Sequence, residues 1–62
     1  MSSGPELSSI STRLDELTRS ITAIADQLAG TERDATAVEL YEVERSLLAA
    51  GRRLEKVVDE LL

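Results

Sequence analysis

Hydrophobic residues in the second half of the chain recur at alternating steps of three and four. The series is Leu40, Val43, Leu47, Ala50, Leu54, Val57 and Leu61. This spacing is typical of an α-helix that packs along another helix. A second, mostly apolar line lies beside it: Ala37, Tyr41, Leu48, Gly51, Val58 and Leu62. Together the two lines widen the hydrophobic face to roughly 160°, so this helix needs more than one neighbouring helix to cover it.

The first half of the chain carries the same repeat with smaller flanking residues. Its apolar positions are Leu7, Ile10, Leu14, Leu17, Ile21, Ile24 and Leu28, and Ser, Thr and Ala stand beside them. Pro5 suits the first turn of a helix, where its missing N–H would have no partner in any case. We therefore predict helix 1 over residues 5–29, preceded by a flexible leader over residues 1–4.

The connection between the two halves contains helix-ending and helix-starting signals. Gly30 can adopt the left-handed conformation that commonly ends a helix. The segments 31–34 and 36–39 both have the spacing of a capping box, which leaves the start of helix 2 open by several residues. We place the turn at about residues 30–34 and helix 2 at about 35–61. A connection this short folds the helices back on each other, so the predicted fold is an all-α, antiparallel two-helix hairpin.

Chain length predicts how the hairpin is stabilised. At 62 residues the chain lies near the lower limit for folding alone, and it contains neither Cys nor His for a disulfide or a zinc site. Oligomerisation remains, and its simplest form is a two-fold dimer that makes a four-helix bundle. The predicted oligomer interface is the wide face of helix 2: Leu40, Val43, Leu47, Leu48, Ala50, Gly51, Leu54, Val57, Val58 and Leu61. We interpret Gly51 as a point where another helix backbone crosses closely.

Net charge limits the classes of partner. The chain carries a net charge of −5, with a pI near 4.5. Nucleic acids and anionic membranes are bound mainly through Lys and Arg, so both are disfavoured as partners. The sequence has no apolar run long enough for a membrane span and no signal-peptide pattern, which predicts a soluble, cytoplasmic protein. Arg outnumbers Lys six to one, a bias that often accompanies a GC-rich bacterial genome.

Candidate chemistry is sparse. No residue is proposed as catalytic, cofactor-binding or metal-binding, because the Ser and Thr hydroxyls have no His base and the carboxylates lack the Glu-x-x-His pattern of di-iron bundles. The clustered positive residues are Arg45, Arg52 and Arg53, which are possible contacts for an anion or an acidic protein. The favoured function is therefore a non-catalytic, self-associating scaffold or regulatory adaptor. The alternative is a ligand-responsive regulator that binds a nucleotide or a transcription factor through the Arg45–Arg53 face.

One stretch supports a family resemblance. The sequence Leu-Tyr-Glu-Val-Glu-Arg-Ser-Leu at 40–47, followed by Arg-Arg-Leu-Glu at 52–55, resembles segments of small helical-hairpin proteins of unknown function from actinobacteria. The resemblance covers about half of the chain. It implies the same hairpin architecture and carries no specific activity.

Overall fold

The computed structural model describes residues 3–62 as two α-helices that pack against each other. Helix α1 spans Gly4–Leu28 and helix α2 spans Asp34–Leu61. The molecule is long and thin, with extents of 51 × 14 × 10 Å. The predicted all-α helical hairpin is confirmed, whereas its assembly into a four-helix bundle stays a prediction.

The start of α1 differs from the sequence prediction. Gly4, which we assigned to a flexible leader, is buried and is the first residue of α1. A Cβ atom at this position would lie 2.7 Å from Leu62 Cδ2 and 3.1 Å from the carbonyl oxygen of Leu61. The absence of a side chain therefore lets the first turn of α1 pack closely against the last turn of α2. Met1 and Ser2, the other end of the predicted leader, lie outside the described residues.

The turn uses its polar side chains differently from a capping box. Gly30 has a φ of +77°, the left-handed conformation that we predicted for it. The Thr31 hydroxyl donates to the carbonyl of Leu28 and accepts the N–H of Arg33, and the Asp34 carboxylate accepts the N–H of Gly30 at 2.7 Å. Arg33 occupies the N-cap of α2 without a side-chain hydrogen bond. The polar side chains thus stabilise the turn itself rather than the first N–H groups of α2.

The core of the hairpin is thin. Its buried side chains are small or medium in size: Thr18, Ala25, Ala37 and Val58. The larger residues that face the other helix are only half-buried, namely Leu7, Leu14, Ile21, Leu28, Leu40, Leu47 and Leu54. Among the described residues no large side chain is fully buried. Two helices alone therefore leave much of the hydrophobic repeat accessible to water.

Candidate functional site

Cross-helix contacts fix the register of the hairpin. Gly4 lies against Leu61 and Leu62, Leu14 lies nearest to Gly51, Thr22 bonds to Glu44, and Tyr41 bonds to Asp26. In each contact the two residue numbers add to between 65 and 67. The helices therefore run antiparallel in one constant register along their whole length, and any residue of α1 can be matched to its neighbour on α2.

One side of the hairpin, which we call the polar face, carries hydrogen bonds between the helices. The Thr22 hydroxyl donates to Glu44 Oε2 at 2.6 Å, and the Tyr41 hydroxyl donates to Asp26 Oδ1 at 2.6 Å. The hydrogen bond to Asp26 is the main cause that raises the pKa of Tyr41 above its ordinary value of 10.0. These bonds show that the same flank of both helices borders this face.

The polar face also contains a shallow, open groove of about 320 Å³. Its lining combines small, polar and charged residues with two leucines: Ser11, Thr12, Asp15, Thr18, Leu47, Leu48, Gly51, Arg52 and Glu55. The Thr18 hydroxyl is already satisfied by the carbonyl of Leu14 at 2.7 Å. Within residues 3–62 no buried side-chain nitrogen or oxygen lacks a hydrogen-bond partner. The groove therefore has no buried side-chain nitrogen or oxygen that would gain a missing hydrogen bond from a ligand.

The opposite side, which we call the apolar face, consists of exposed aliphatic side chains. It comprises Ile10, Leu17 and Ile24 of α1 and Val43, Ala50, Val57 and Leu61 of α2. These positions lie on the flank of each helix that turns away from Thr22 and Glu44, because successive residues are spaced by 100° around an α-helix. Leu17 is 62% exposed and Ile24 is 51% exposed. This stripe therefore exposes aliphatic side chains of both helices on one side of the hairpin.

The register arranges six residues of the apolar face in three layers, with Leu61 beyond them at the level of Glu6. Ile24 lies level with Val43, Leu17 with Ala50, and Ile10 with Val57, seven residues apart along each helix. In every layer the larger side chain belongs to α1 and the smaller one to α2. The largest difference in size is in the middle layer, where the most exposed leucine of α1 stands beside an alanine.

The residues that we predicted as one oligomer interface are divided by the hairpin. Leu40, Leu47, Gly51, Leu54 and Val58 lie against α1 in the same chain, and all of them are buried or half-buried. Val43, Ala50, Val57 and Leu61 are exposed on the apolar face, whereas Leu48 is 45% exposed on the polar face. Their role in assembly stays a prediction. The hairpin itself therefore covers the middle of the wide helix 2 face and leaves its two edges, on the apolar face and at Leu48, exposed.

Sequence reasoning missed the contribution of α1 to the exposed surface. The predicted oligomer interface contains residues of helix 2 only, yet Ile10, Leu17 and Ile24 of α1 are all more than two-fifths exposed. The heptad repeat of helix 1 has two apolar positions per repeat, and in this hairpin α2 covers mainly one of them, the line of Leu7, Leu14 and Ile21.

Within one hairpin, the close helix crossing predicted at Gly51 is not found. An added Cβ atom would have a single neighbour within 4 Å, the side-chain atom Leu14 Cδ2 at 3.9 Å, which is an ordinary van der Waals separation. No backbone of α1 crosses closely there. The close approach of the two helices occurs at Gly4 instead.

The three candidate arginines lie in different surroundings. Arg45 lies 3.7 Å from Glu42 in an exposed ion pair, and Arg52 lines the polar groove together with Glu55. Arg53 is also exposed, but it points about 100° away from Arg52 around the helix. A contact of these residues with an anion or an acidic partner stays a prediction.

Residues 3–62 lack two further features. They contain no group of three or more acidic side chains placed to hold a metal ion. Neither α1 nor α2 has the combination of length and hydrophobicity that crossing a lipid bilayer requires.

Comparison with known proteins adds no relative. No protein-family model, curated protein or solved structure matches this chain. The resemblance to actinobacterial hairpin proteins therefore stays a prediction, and function has to be inferred from the surfaces of the hairpin.

Proposed function

We propose that the protein is a non-catalytic protein–protein interaction module, a small helical scaffold or regulatory adaptor that works as a homodimer in the cytoplasm. In this proposal the apolar faces of two copies pack together and form a four-helix bundle. The polar faces of the two hairpins then remain on the outside. The observation that carries the proposal is the aliphatic stripe that both helices expose on the same side.

A second copy fits this stripe because both surfaces are purely aliphatic. A two-fold dimer needs one patch that is complementary to itself, and a patch without charges in its centre meets no electrostatic penalty on self-contact. Charged residues stay at its edges, where they keep access to water. A foreign partner with an aliphatic helix face would satisfy the same chemistry and is the competing outcome of the test below.

The energy available on the apolar face is consistent with a reversible dimer. Complete burial of an aliphatic side chain stabilises by about 1.5–3 kcal/mol, and these side chains are already about half-buried, so each has roughly 1 kcal/mol left to gain. Its large members are Ile10, Leu17, Ile24, Val43, Val57 and Leu61, which are 42–62% exposed. Two such sets offer on the order of 10 kcal/mol, against an association cost of roughly 4–15 kcal/mol. We therefore expect a dimer that dissociates on dilution.

The test combines light scattering with thermal unfolding of the purified protein over a wide range of concentrations. A dimer would have twice the 6.7 kDa mass of one chain, and its melting temperature would rise with protein concentration. A 6.7 kDa species at every concentration, with a constant melting temperature, would contradict self-association. The apolar face would then be reserved for a foreign protein.

The ligand-responsive regulator is the second proposal, and its support is the exposed Arg52 at the edge of the polar groove. A thermal-shift screen against nucleotides separates the two functions. A scaffold should give no shift, whereas a sensor should be stabilised by its ligand in proportion to the logarithm of ligand concentration. Arg52→Ala provides the control, because it should abolish any shift that depends on this groove.

A further inference from the structure

We infer that the two copies associate with their turns at the same end, so that α1 of each copy packs against α2 of the other. This inference rests on the proposed homodimer and specifies how its second copy is oriented. The observation behind it is the size pattern in the three layers of the apolar face. The larger residue of every layer lies on α1 and the smaller one on α2.

Two orientations are open to a face-to-face, two-fold dimer of antiparallel hairpins. If the axis runs parallel to the helices, both turns lie at one end and α1 packs against α2 of the second copy. If the axis runs across the helices, the turns lie at opposite ends, α1 packs against α1, and α2 packs against α2. The two orientations bring different side chains together in every layer.

The same-end orientation matches large residues with small ones throughout. Leu17 of each copy would face Ala50 of the other, Ile24 would face Val43, and Ile10 would face Val57. The spacing between helices can then be uniform, and the side chain of Leu17 fills the space above Ala50. Large and small residues that alternate across facing positions interdigitate well in helix bundles.

The opposite-end orientation separates large residues from small ones. Leu17 would meet Leu17 and Ala50 would meet Ala50, while Ile10 and Ile24 would come together on the α1 side and the two valines on the α2 side. The interface would be thick along α1 and thin along α2, so the two hairpins would have to tilt into a wedge. Native packing density is harder to reach in such a wedge than with uniform spacing.

Charges at the edge of the interface weakly disfavour the same-end orientation. In the same-end orientation Arg13 of one copy lies level with Arg53 of the other, and Glu6 lies level with Glu60. All four residues are exposed, and interactions between exposed charges are weak and screened by salt. Packing of the aliphatic layers therefore decides the orientation. The like-charge pairs also predict that dimerisation becomes tighter as salt concentration rises.

A single distance between spin labels tests the orientation. The chain contains no Cys, so Glu32→Cys introduces one attachment site per copy, in the exposed turn. In the same-end dimer the two labels lie within roughly the 20–25 Å width of two adjacent helices. In the opposite-end dimer they are separated by about the 51 Å length of the hairpin. Double electron–electron resonance distinguishes these distances directly.

The control variant is Ala49→Cys, at an exposed site halfway along the hairpin. Its labels lie no farther apart than roughly the width of the bundle in both orientations, so a short distance here reports dimer formation alone. A short distance for both variants supports the inference. A short distance for Ala49→Cys and a long one for Glu32→Cys would overturn the orientation and leave the homodimer intact. No dipolar coupling in either variant, with a monomeric mass, would overturn the homodimer and this inference together.

Discussion

The two faces of the hairpin are built from the same two helices but hold them together differently. On the polar face, Thr22 bonds to Glu44 and Tyr41 bonds to Asp26, so cross-helix contacts are satisfied within one chain. On the apolar face, Leu17 and its neighbours remain largely exposed. The polar face is thus held together by hydrogen bonds within the single hairpin, whereas we propose that another helical surface covers the apolar face. The following predictions test that division.

The largest effect is expected among the residues that pack between α1 and α2. Leu47 is half-buried between α1 and α2, so Leu47→Asp places a charge in the line of side chains that packs the two helices together. The cost of several kcal/mol is comparable to the total stability of so small a fold. Circular dichroism should show loss of most helicity. Arg45→Ala is the control and should change little, and retention of native helicity by Leu47→Asp would show that the hairpin does not depend on this line.

A matched pair of leucines compares the two faces directly. Leu17 is 62% exposed on the apolar face and Leu48 is 45% exposed on the polar face. If a second copy buries the apolar face, Leu17→Ala should cost about 2 kcal/mol or more, as in a protein core. Leu48→Ala should cost under about 1 kcal/mol, because its environment stays wet. Chemical denaturation at a fixed protein concentration measures both, and equal effects would contradict the difference between the faces.

Smaller effects are expected at two glycines, where substitution by Ala should change the stability in opposite directions. Gly51 borders the groove on the polar face and has room for a Cβ atom, so Gly51→Ala should stabilise by up to about 1 kcal/mol through better helix propensity. Gly4→Ala should be destabilising, because its Cβ would lie 3.1 Å from the carbonyl oxygen of Leu61. Denaturation midpoints of the two variants give the signs. Destabilisation by Gly51→Ala would restore the interpretation of a close helix crossing at that position.

The smallest effect concerns the exposed hydrogen bond from Tyr41 to Asp26. The pKa of Tyr41 is raised in the folded state, mainly by this hydrogen bond. Its stabilising contribution is therefore fully present below the unfolded value of about 10 and is lost as pH rises through the folded pKa. Tyr41→Phe removes this pH dependence. The melting temperature of the parent should fall relative to Tyr41→Phe only above about pH 10, and an identical pH profile for both proteins would show that the bond contributes nothing.

The sequence predicted the elements of the fold well because their signals are local. Heptad spacing specified both helices, and Gly30 specified the left-handed turn. The close approach at Gly4 was not predictable, since it depends on where the last turn of α2 ends in space. The sequence also did not show which residues of the helix 2 face pack against α1 and which stay exposed on the outside of the hairpin. A helical wheel gives the width of a hydrophobic face, but only the register of Thr22 with Glu44 shows which flank stays exposed.

The most direct test of the central claim, that a second copy covers the apolar face, is sedimentation equilibrium of Leu17→Asp beside Val38→Asp. Val38 is 52% exposed and lies on the outer side of α2, away from both faces, so it controls for the general effect of an added charge. We expect Val38→Asp to remain a dimer and Leu17→Asp to sediment as a 6.7 kDa monomer. A dimer of unchanged affinity in Leu17→Asp would contradict the claim.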